Sequence, residues 1–251
     1  MEEQLWPRSR IYYVVIEEMN FTITETLRAS RVEKWIRLVK HRFLDDAPIK
    51  CVGLDCEFTT HARPQRAAVL QLSVASEILV FQISKANGVP QLLKDFLKDT
   101  TIKFCGAAIN NDLRKLRPYG IVIPSAYDLQ QVVPNATSKL TPSLYDLANA
   151  TIGTHLEKKK RDNNNKKDKK KKKEKKYKKK GEEEEEEEEE EDDDDDDDEE
   201  DELIFGWEKV PLSFNQLKYA DLDARLGFEI ARRFWKLKGY NSHVDRLNLN
   251  N

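Results

Sequence analysis

Two carboxylates stand one residue apart at the end of an apolar stretch, in the segment Val52-Gly53-Leu54-Asp55-Cys56-Glu57-Phe58. The apolar residues that lead into this segment predict a buried strand. Since side chains alternate between the two faces of a strand, Asp55 and Glu57 point to the same face. Two buried carboxylates repel one another, and a divalent metal ion is the usual compensation. The alternative is a strand that runs out into a solvated turn, so the pair alone is a weak indication of a metal site.

Two further acidic positions could complete such a site. Asp112 lies in the first turn of a predicted helix that follows a strand, where an acid is also a common helix-start residue. Tyr219 and Asp223 are four residues apart on a predicted late helix, so they are neighbours on one face, with Asp221 roughly on the opposite side. The alternative for this pair is a helix surface with a chance contact between tyrosine and aspartate.

Composition narrows the class of protein. No apolar run is long enough for a transmembrane helix, and the first residues do not form a secretory signal. The three cysteines, Cys51, Cys56 and Cys105, fall in strand-like segments without C-x-x-C spacing. This pattern predicts buried, reduced thiols in an intracellular protein.

The chain contains one long segment that cannot build a core. Residues 157–202 are Lys-rich and then Glu/Asp-rich, with almost no apolar side chain, which predicts a disordered insertion. Residues 158–202 carry a net charge of −8, so the rest of the chain carries +5, which is compatible with a polyanionic partner. We expect one domain formed by residues 1–156 and 203–240, followed by a tail at 241–251.

The remaining patterns predict an α/β domain. A hairpin is expected at 11–24. Strands at 49–58, 67–74 and 78–83 are expected to form a three-strand antiparallel meander. Further strands are expected at 102–107 and 121–123. One helix is expected to begin at a capping box at 30–33 and to bury Trp35 in the core. Further helices are expected at 90–97, 110–116, 128–133, 143–152 and 213–237. The last helix is expected to bury Leu217, Ala220, Ala224, Phe228, Ala231 and Phe234. A meander followed by alternating helices and strands indicates a mixed sheet flanked by helices.

The order of these motifs resembles a known family. A D-x-E strand, an aspartate at a helix start and a Y-x-x-x-D helix are similar to the DEDDy branch of the DEDD 3′-5′ exonucleases, which have an RNase H-like fold. Within it, the strings VGLDCEF, RAAVLQLSVA, NNDLRKLRPYGI, SLYDLANATIG and GWEKVPLSFNQLKYADLDA look most like plant Werner syndrome-like exonucleases. The resemblance covers about Ile11 to Tyr240 apart from the insertion.

The resemblance implies a two-metal phosphodiesterase that removes nucleotides from the 3′ ends of DNA or RNA. Asp55, Glu57, Asp112 and Asp223 would hold two divalent cations, Mg²⁺ or Mn²⁺, and hard cations prefer such oxygen ligands. Tyr219 would orient the attacking water, since a phenol titrates near pH 10 and is a poor general base.

The resemblance also implies contacts to the substrate. Leu54, Cys56 and Phe58 flank the first motif, and Arg114 is a candidate phosphate contact; Phe58 serves equally well as a core residue. Arg63, Arg66, Lys115 and Arg117 are further candidates, although each alone is more often a solvated surface charge. Trp207 is interpreted as a packing residue, and His61 and His155 as surface residues. Phe58 stands where the family usually has tryptophan, which puts the choice of substrate in doubt.

Two other functions compete with the nuclease. One is a catalytically weak nucleic-acid-binding or scaffold protein that keeps the fold, and the other, limited to Glu182–Glu202, is a chromatin-binding acidic tract. The Lys-rich run fits a nuclear localisation signal and a solubilising insertion equally well. We therefore expect a nuclear location, with the cytoplasm as the alternative, nucleic acid as partner and no membrane contact; protein partners of the insertion are unknown.

Overall fold

One seven-stranded mixed sheet is the centre of the molecule. The computed structural model describes residues 8–16, 19–60, 62–156, 206–237 and 240. The strands are β1 (Ser9–Ile16), β2 (Met19–Thr26), β3 (Lys50–Phe58), β4 (Ala67–Val74), β5 (Glu77–Phe81), β6 (Ile102–Gly106) and β7 (Ala126–Asp128). The α-helices in this part of the chain are α1 (Ala29–Val39), α2 (Gln91–Lys98), α3 (Asn110–Leu116), α4 (Leu129–Val132), α5 (Leu144–Ile152) and α6 (Phe214–Phe234).

The strand order is β1-β2-β5-β4-β3-β6-β7. Strands β3, β4 and β5 form the expected antiparallel meander. Strands β6 and β7 extend it in parallel on one side, and β2 joins β5 in parallel on the other, with β1 as its antiparallel hairpin partner. The predicted α/β class with a mixed sheet is therefore confirmed, and the N-terminal hairpin proves to be part of the same sheet.

The middle of the sheet is buried on both faces. Every residue of β4 and β5 is buried, which explains why these strands read as near-continuous apolar runs. On one face α1 packs its apolar stripe, which includes Trp35, into the main core. Helix α6 packs along β3, β4 and β6. The three cysteines are free and buried, as predicted.

The predicted capping box at Ser30 to Glu33 is wrong. Helix α1 begins one residue before Ser30, and its N-cap residue, Arg28, provides no side-chain cap. Other side chains accept from the first backbone amides instead. Thr26 Oγ1, two residues earlier, accepts from the Arg28 amide, and the distant Asn87 Oδ1 accepts from the Ala29 amide at 3.0 Å. A partner far along the chain thus replaces the local cap.

Two other expectations need correction. Residues 121–123 form no strand but a loop that leads into β7. Ile121 and Ile123 are buried and Val122 is exposed, so packing of the loop produces the alternation. Helix α6 ends at Phe234, short of residue 237, and Phe234 itself is 37% exposed at the helix end. The other five residues predicted for the buried side of this helix are buried, namely Leu217, Ala220, Ala224, Phe228 and Ala231.

The predicted insertion at 157–202 and the tail at 241–251 lie outside the described residues. Helix α5 ends before the insertion at Gly153, which takes the left-handed conformation expected of a C-terminal glycine. The described chain resumes at Gly206, just before the buried Trp207. The insertion therefore joins α5 to the segment that leads into α6.

Candidate active site

Strand β3 presents two carboxylates at its C-terminal end. Asp55 and Glu57 share a face with Gly53, while Leu54 and Cys56 point the other way into the core. Both acids are only partly buried. The pairing with β4 shifts register between Glu57 and Phe58, so the strand becomes irregular immediately after the second acid.

The backbone of helix α6 packs directly against the backbone of β3. A Cβ atom added to Gly53 would lie 2.0 Å from the carbonyl oxygen of Ala224, and one added to Gly227 would lie 2.9 Å from that of Cys105. Only glycine permits so close an approach of helix to strand. Because Asp223 precedes Ala224, the packing brings its carboxylate to Asp55 and Glu57.

Three carboxylates meet at this contact. One oxygen each from Asp55, Glu57 and Asp223 lie within 4.8 Å of one another. Asp223 is 8% exposed, so the cluster is open on the β3 side and closed on the helix side. A set of carboxylate oxygens without sulfur or nitrogen suits a hard divalent cation such as Mg²⁺ or Mn²⁺.

Asp112 approaches the same place from α3. It is 4% exposed in the first turn of that helix, as predicted, and its charge is the largest electrostatic influence from another acid on Asp55. The loop before α3 is held by Asp128, whose Oδ1 accepts a hydrogen bond from the backbone amide of Ala108 at 3.1 Å. Ala108 has a φ of 53°, a left-handed conformation that this hydrogen bond supports.

The acids raise one another's pKa. Burial, and then the charges of Asp112, Asp223 and Glu57, hold the pKa of Asp55 well above its ordinary value. Burial and the charge of Asp128 raise the pKa of Asp112 to about 8. Burial also raises the pKa of Asp221 to about 6. A bound cation would reverse these shifts for its ligands, because it stabilises the ionised form.

Asp221 is not on an open helix surface. It is 4% exposed, although it lies across the helix from the predicted Tyr219–Asp223 pair. The charge of Arg225 counters the effect of burial on its pKa. Helix α6 is thus covered on more sides than a surface helix, which its periodicity did not indicate.

Tyr219 lies beside the acids, as its spacing from Asp223 predicts. Its pKa is raised by burial and then by the charges of Asp223 and Glu57. Its ring lies 6.2 Å from that of Trp207, between ring centroids. Trp207 is 2% exposed, so its interpretation as a packing residue is confirmed.

A second tyrosine, which the sequence patterns did not single out, also faces the cluster. Burial, and then the charges of Asp223, Asp55 and Glu57, raise the pKa of Tyr145 in α5. Tyr145 and Tyr219 are close enough to influence each other electrostatically. No local signal marks Tyr145, because its place depends on how α5 packs against α6 across the insertion.

The side chains proposed to touch a substrate divide into two groups. Leu54 and Cys56 are 1% and 5% exposed, so only their backbone groups could reach a nucleotide. Phe58 is partly buried against the core, and the Lys115 ammonium lies 5.7 Å from the centre of its ring. Arg114 is exposed and donates a hydrogen bond to Asn111.

The other candidate cations lie at the surface. Arg63, Arg66 and Arg117 are exposed, and the guanidinium of Arg66 lies 5.8 Å from the ring centre of Tyr119. His155 is exposed, as predicted, whereas His61 lies outside the described residues. Among the described helices, none has the length and apolar character to cross a membrane.

Comparisons with known proteins agree on one family. A family model described as 3′-5′ exonuclease matches residues 30–179. A protein of Acanthamoeba polyphaga mimivirus, named as a candidate 3′-5′ exonuclease, is 28% identical over 100 residues, which cover 40% of this chain. The match spans 24% of the mimivirus protein, so that protein is about four times as long as the shared region.

Solved structures give a weaker likeness. The EXD2 exonuclease domain soaked in Mn and Mg is 18% identical, with 91% of this chain and 93% of that chain covered and a TM-score of 0.39. NrnC of Brucella melitensis is 16% identical, with 77% and 75% covered and a TM-score of 0.48. At these scores the structural likeness supports no functional conclusion on its own.

Proposed function

The chain belongs to the 3′-5′ exonuclease domain family, and we propose that it is a metal-dependent enzyme that removes nucleotides from the 3′ ends of DNA or RNA. The observation that carries this proposal is the meeting of Asp55, Glu57 and Asp223 within 4.8 Å. Asp112, the fourth acid, is buried close enough to perturb Asp55. These four carboxylates would hold two divalent cations, Mg²⁺ or Mn²⁺.

The residues of the chain have distinct tasks in this proposal. Asp55, Glu57, Asp112 and Asp223 would hold the cations, which when bound would supply a nucleophilic hydroxide at neutral pH and relieve charge on the leaving oxygen. The Tyr219 hydroxyl, protonated at neutral pH, orients the attacking water by a hydrogen bond. Phe58, Arg114 and the neighbouring cations would hold the terminal nucleotide and its phosphates, with Leu54 and Cys56 contributing backbone groups.

The finer assignments also belong to the proposal. We place the chain nearest to plant Werner syndrome-like exonucleases, with Phe58 in place of the usual tryptophan as a departure. We treat residues 1–156 and 203–240 as one exonuclease domain interrupted by the insertion 157–202. A nuclear location rests on the Lys-rich run, with the cytoplasm as the alternative.

A degradation assay on matched DNA and RNA strands tests the function. We expect the full chain to shorten a 5′-labelled strand from its 3′ end with Mg²⁺ or Mn²⁺, and not with EDTA. Asp55→Ala should lower the rate by at least about a hundredfold, because the carboxylate would hold the cations that stabilise the charge developed in the reaction. Asp46→Ala, which removes an exposed acid elsewhere, should leave the rate unchanged.

Two results would contradict the proposal. No metal-dependent shortening by the wild type, under conditions where a control nuclease cuts, would favour a weak nucleic-acid-binding protein that keeps the fold. Shortening that persists in Asp55→Ala would place the site elsewhere or reveal a contaminant.

A further inference from the structure

We propose that a cation–aromatic ladder, formed by Phe58, Lys115, Tyr119 and Arg66, guides a single strand of DNA or RNA away from the four acids. The inference rests on the proposed function and adds to it the form of the substrate, a strand with two phosphates bound on the 5′ side of the bond to be cut. It gives Tyr119 a task at the site and makes Arg66 the contact farthest from the acids.

The sheet places Phe58 and Arg66 in line with the acids of β3. Phe58 directly follows Glu57 and pairs with Ala67 of β4, just after the shift in register. The next pair outward joins Thr59 to Arg66. The Thr59 amide donates to the Arg66 carbonyl at 2.9 Å, and the Arg66 amide donates to Thr59 Oγ1 at 3.1 Å. Arg66 therefore lies one pair beyond Phe58, on the side away from the acids.

Helix α3 continues this direction along one of its faces. Asp112, Lys115 and Tyr119 are spaced i, i+3 and i+7, and the helix is extended by a 3-10 turn over Arg117–Tyr119. Each step is about one turn, or roughly 5 Å along the axis. Because Asp112 lies in the first turn, the helix leads outward from the acids through Lys115 to Tyr119.

Each cation of the ladder lies beside a ring from the other side of the ladder. The Lys115 ammonium is 5.7 Å from the ring centre of Phe58, and the Arg66 guanidinium is 5.8 Å from that of Tyr119. The Tyr119 hydroxyl donates to the carbonyl of Ala67 at 2.6 Å, which fixes its ring beside the start of β4. Attraction to the rings holds the two cations at defined places along the path.

This arrangement fits the backbone of one strand. Cations that contact phosphates, interleaved with rings on which bases stack, bind single strands without reading their sequence. Glu208 limits the path at its outer end, because its Oε2 accepts from the Thr60 amide at 3.2 Å and its charge repels a further phosphate. The ladder therefore holds two phosphates, and it offers no cation to the second strand of a duplex.

The salt dependence of binding tests the ladder with a quantity that a purely structural role would not change. The full chain carrying Asp55→Ala leaves a labelled strand of about 12 thymidylates intact, and fluorescence anisotropy gives its Kd over a range of salt concentrations. Each phosphate contact on a single strand contributes about 0.7 to the slope of log Kd against log salt concentration. We expect Arg66→Ala and Lys115→Ala each to lower this slope by about 0.7.

Arg31→Ala is the matched control. It removes an exposed arginine of α1, a helix that packs against β2 and β5 on the other side of the sheet from β3. The slope should stay the same in this variant.

Tyr119→Leu tests the ring, because it removes the stacking surface and keeps both charges. We expect the strand to bind about two- to fivefold more weakly, and the loss to be smaller when Arg66 is already alanine. Arg66→Ala keeps the test decisive if the leucine variant is unstable, since the Arg66 side chain is exposed.

The outcomes separate the ladder from the proposed function. An unchanged slope in Arg66→Ala or in Lys115→Ala overturns the ladder. A blunt duplex whose slope changes as much as that of the single strand overturns the assignment to a single strand. Metal-dependent shortening by the wild type together with unchanged slopes overturns the ladder alone, whereas lowered slopes without any shortening overturn the proposed function alone.

Discussion

At the scale of single residues, the acids of the site work against the stability of the fold that presents them. Asp112 and Asp223 are 4% and 8% exposed, and the charges of both raise the pKa of the nearby Asp55. Burial and repulsion both favour the protonated carboxyl. Protons or cations must therefore compensate the charge, and the two compete for the same oxygens.

This competition predicts an unusual dependence of stability on pH. The pKa of Asp112 is raised from 3.8 to about 8, and that of Asp55 is also raised. Between pH 3.8 and about 8, the folded chain therefore binds more protons than the unfolded chain. The free energy of unfolding then falls as pH rises, by at most about 1.4 kcal/mol per pH unit for each such group. Asp146, whose pKa is lowered to about 2, acts with the opposite sign only below about pH 4.

Thermal melts in EDTA between pH 5.5 and 8 measure this effect. We expect the melting temperature to fall across this range, and Mn²⁺ to oppose the fall because it binds the ionised carboxylates. Asp112→Asn should flatten the profile. A melting temperature in EDTA that rises from pH 5.5 to 8 would contradict the prediction.

At the scale of secondary structure, the contact between α6 and β3 decides the geometry of the site. It is made by backbone against backbone, at Gly53 and Gly227, with no side chain between them that could rearrange. Interiors packed this closely do not absorb an added methyl group without moving an element. The distance between Asp223 and the two acids of β3 therefore depends on two glycines that carry no chemistry.

Three glycine-to-alanine variants test this contact. Gly53→Ala should cost more than about 3 kcal/mol, since its Cβ would lie 2.0 Å from a backbone oxygen, and Gly227→Ala, at 2.9 Å, should cost less. Gly153→Ala has open space around its Cβ and a φ of 73°, so it should cost only about 1 kcal/mol of backbone strain. Urea unfolding measures all three, and a Gly53→Ala variant as stable as Gly153→Ala would refute the close contact.

The same scale shows what local sequence can and cannot reveal. Alternation along β3 placed Asp55 and Glu57 on one face, and helical spacing placed Tyr219 beside Asp223, because both depend only on backbone periodicity. Local sequence does not predict that Tyr145 lies near the acids, because its position depends on a contact between helices far apart in the chain. The capping box at Ser30 was wrong for the same reason, since Asn87 supplies the cap from a distant loop.

At the scale of the whole molecule, we propose that the pieces on either side of residues 157–202 form one domain. Strand β3 and helices α3 and α5 precede the charged insertion, and α6 follows it. Closing a long flexible loop costs entropy only in proportion to the logarithm of its length. The fold can therefore carry the insertion at little cost, and its removal should leave the site in place.

Replacing residues 158–202 with a Gly/Ser linker of about 20 residues, which spans about 25 Å on average, tests this organisation. We expect the melting temperature to stay the same or rise slightly, because the shorter loop gains less than about 1 kcal/mol. The exonuclease rate on a short strand should be within about threefold of the wild type. Loss of cooperative unfolding would show instead that the insertion belongs to the folded domain.

The close packing of α6 against β3 also has a consequence for biosynthesis. Ribosomes complete every strand of the sheet before they begin α6, so a nascent chain carries Asp55, Glu57 and Asp112 for some time without Asp223. During that interval the face of β3 and β4 that α6 will cover is open to solvent, and the emerging chain is a natural client for chaperones. The four-acid site is therefore complete only after translation has passed α6.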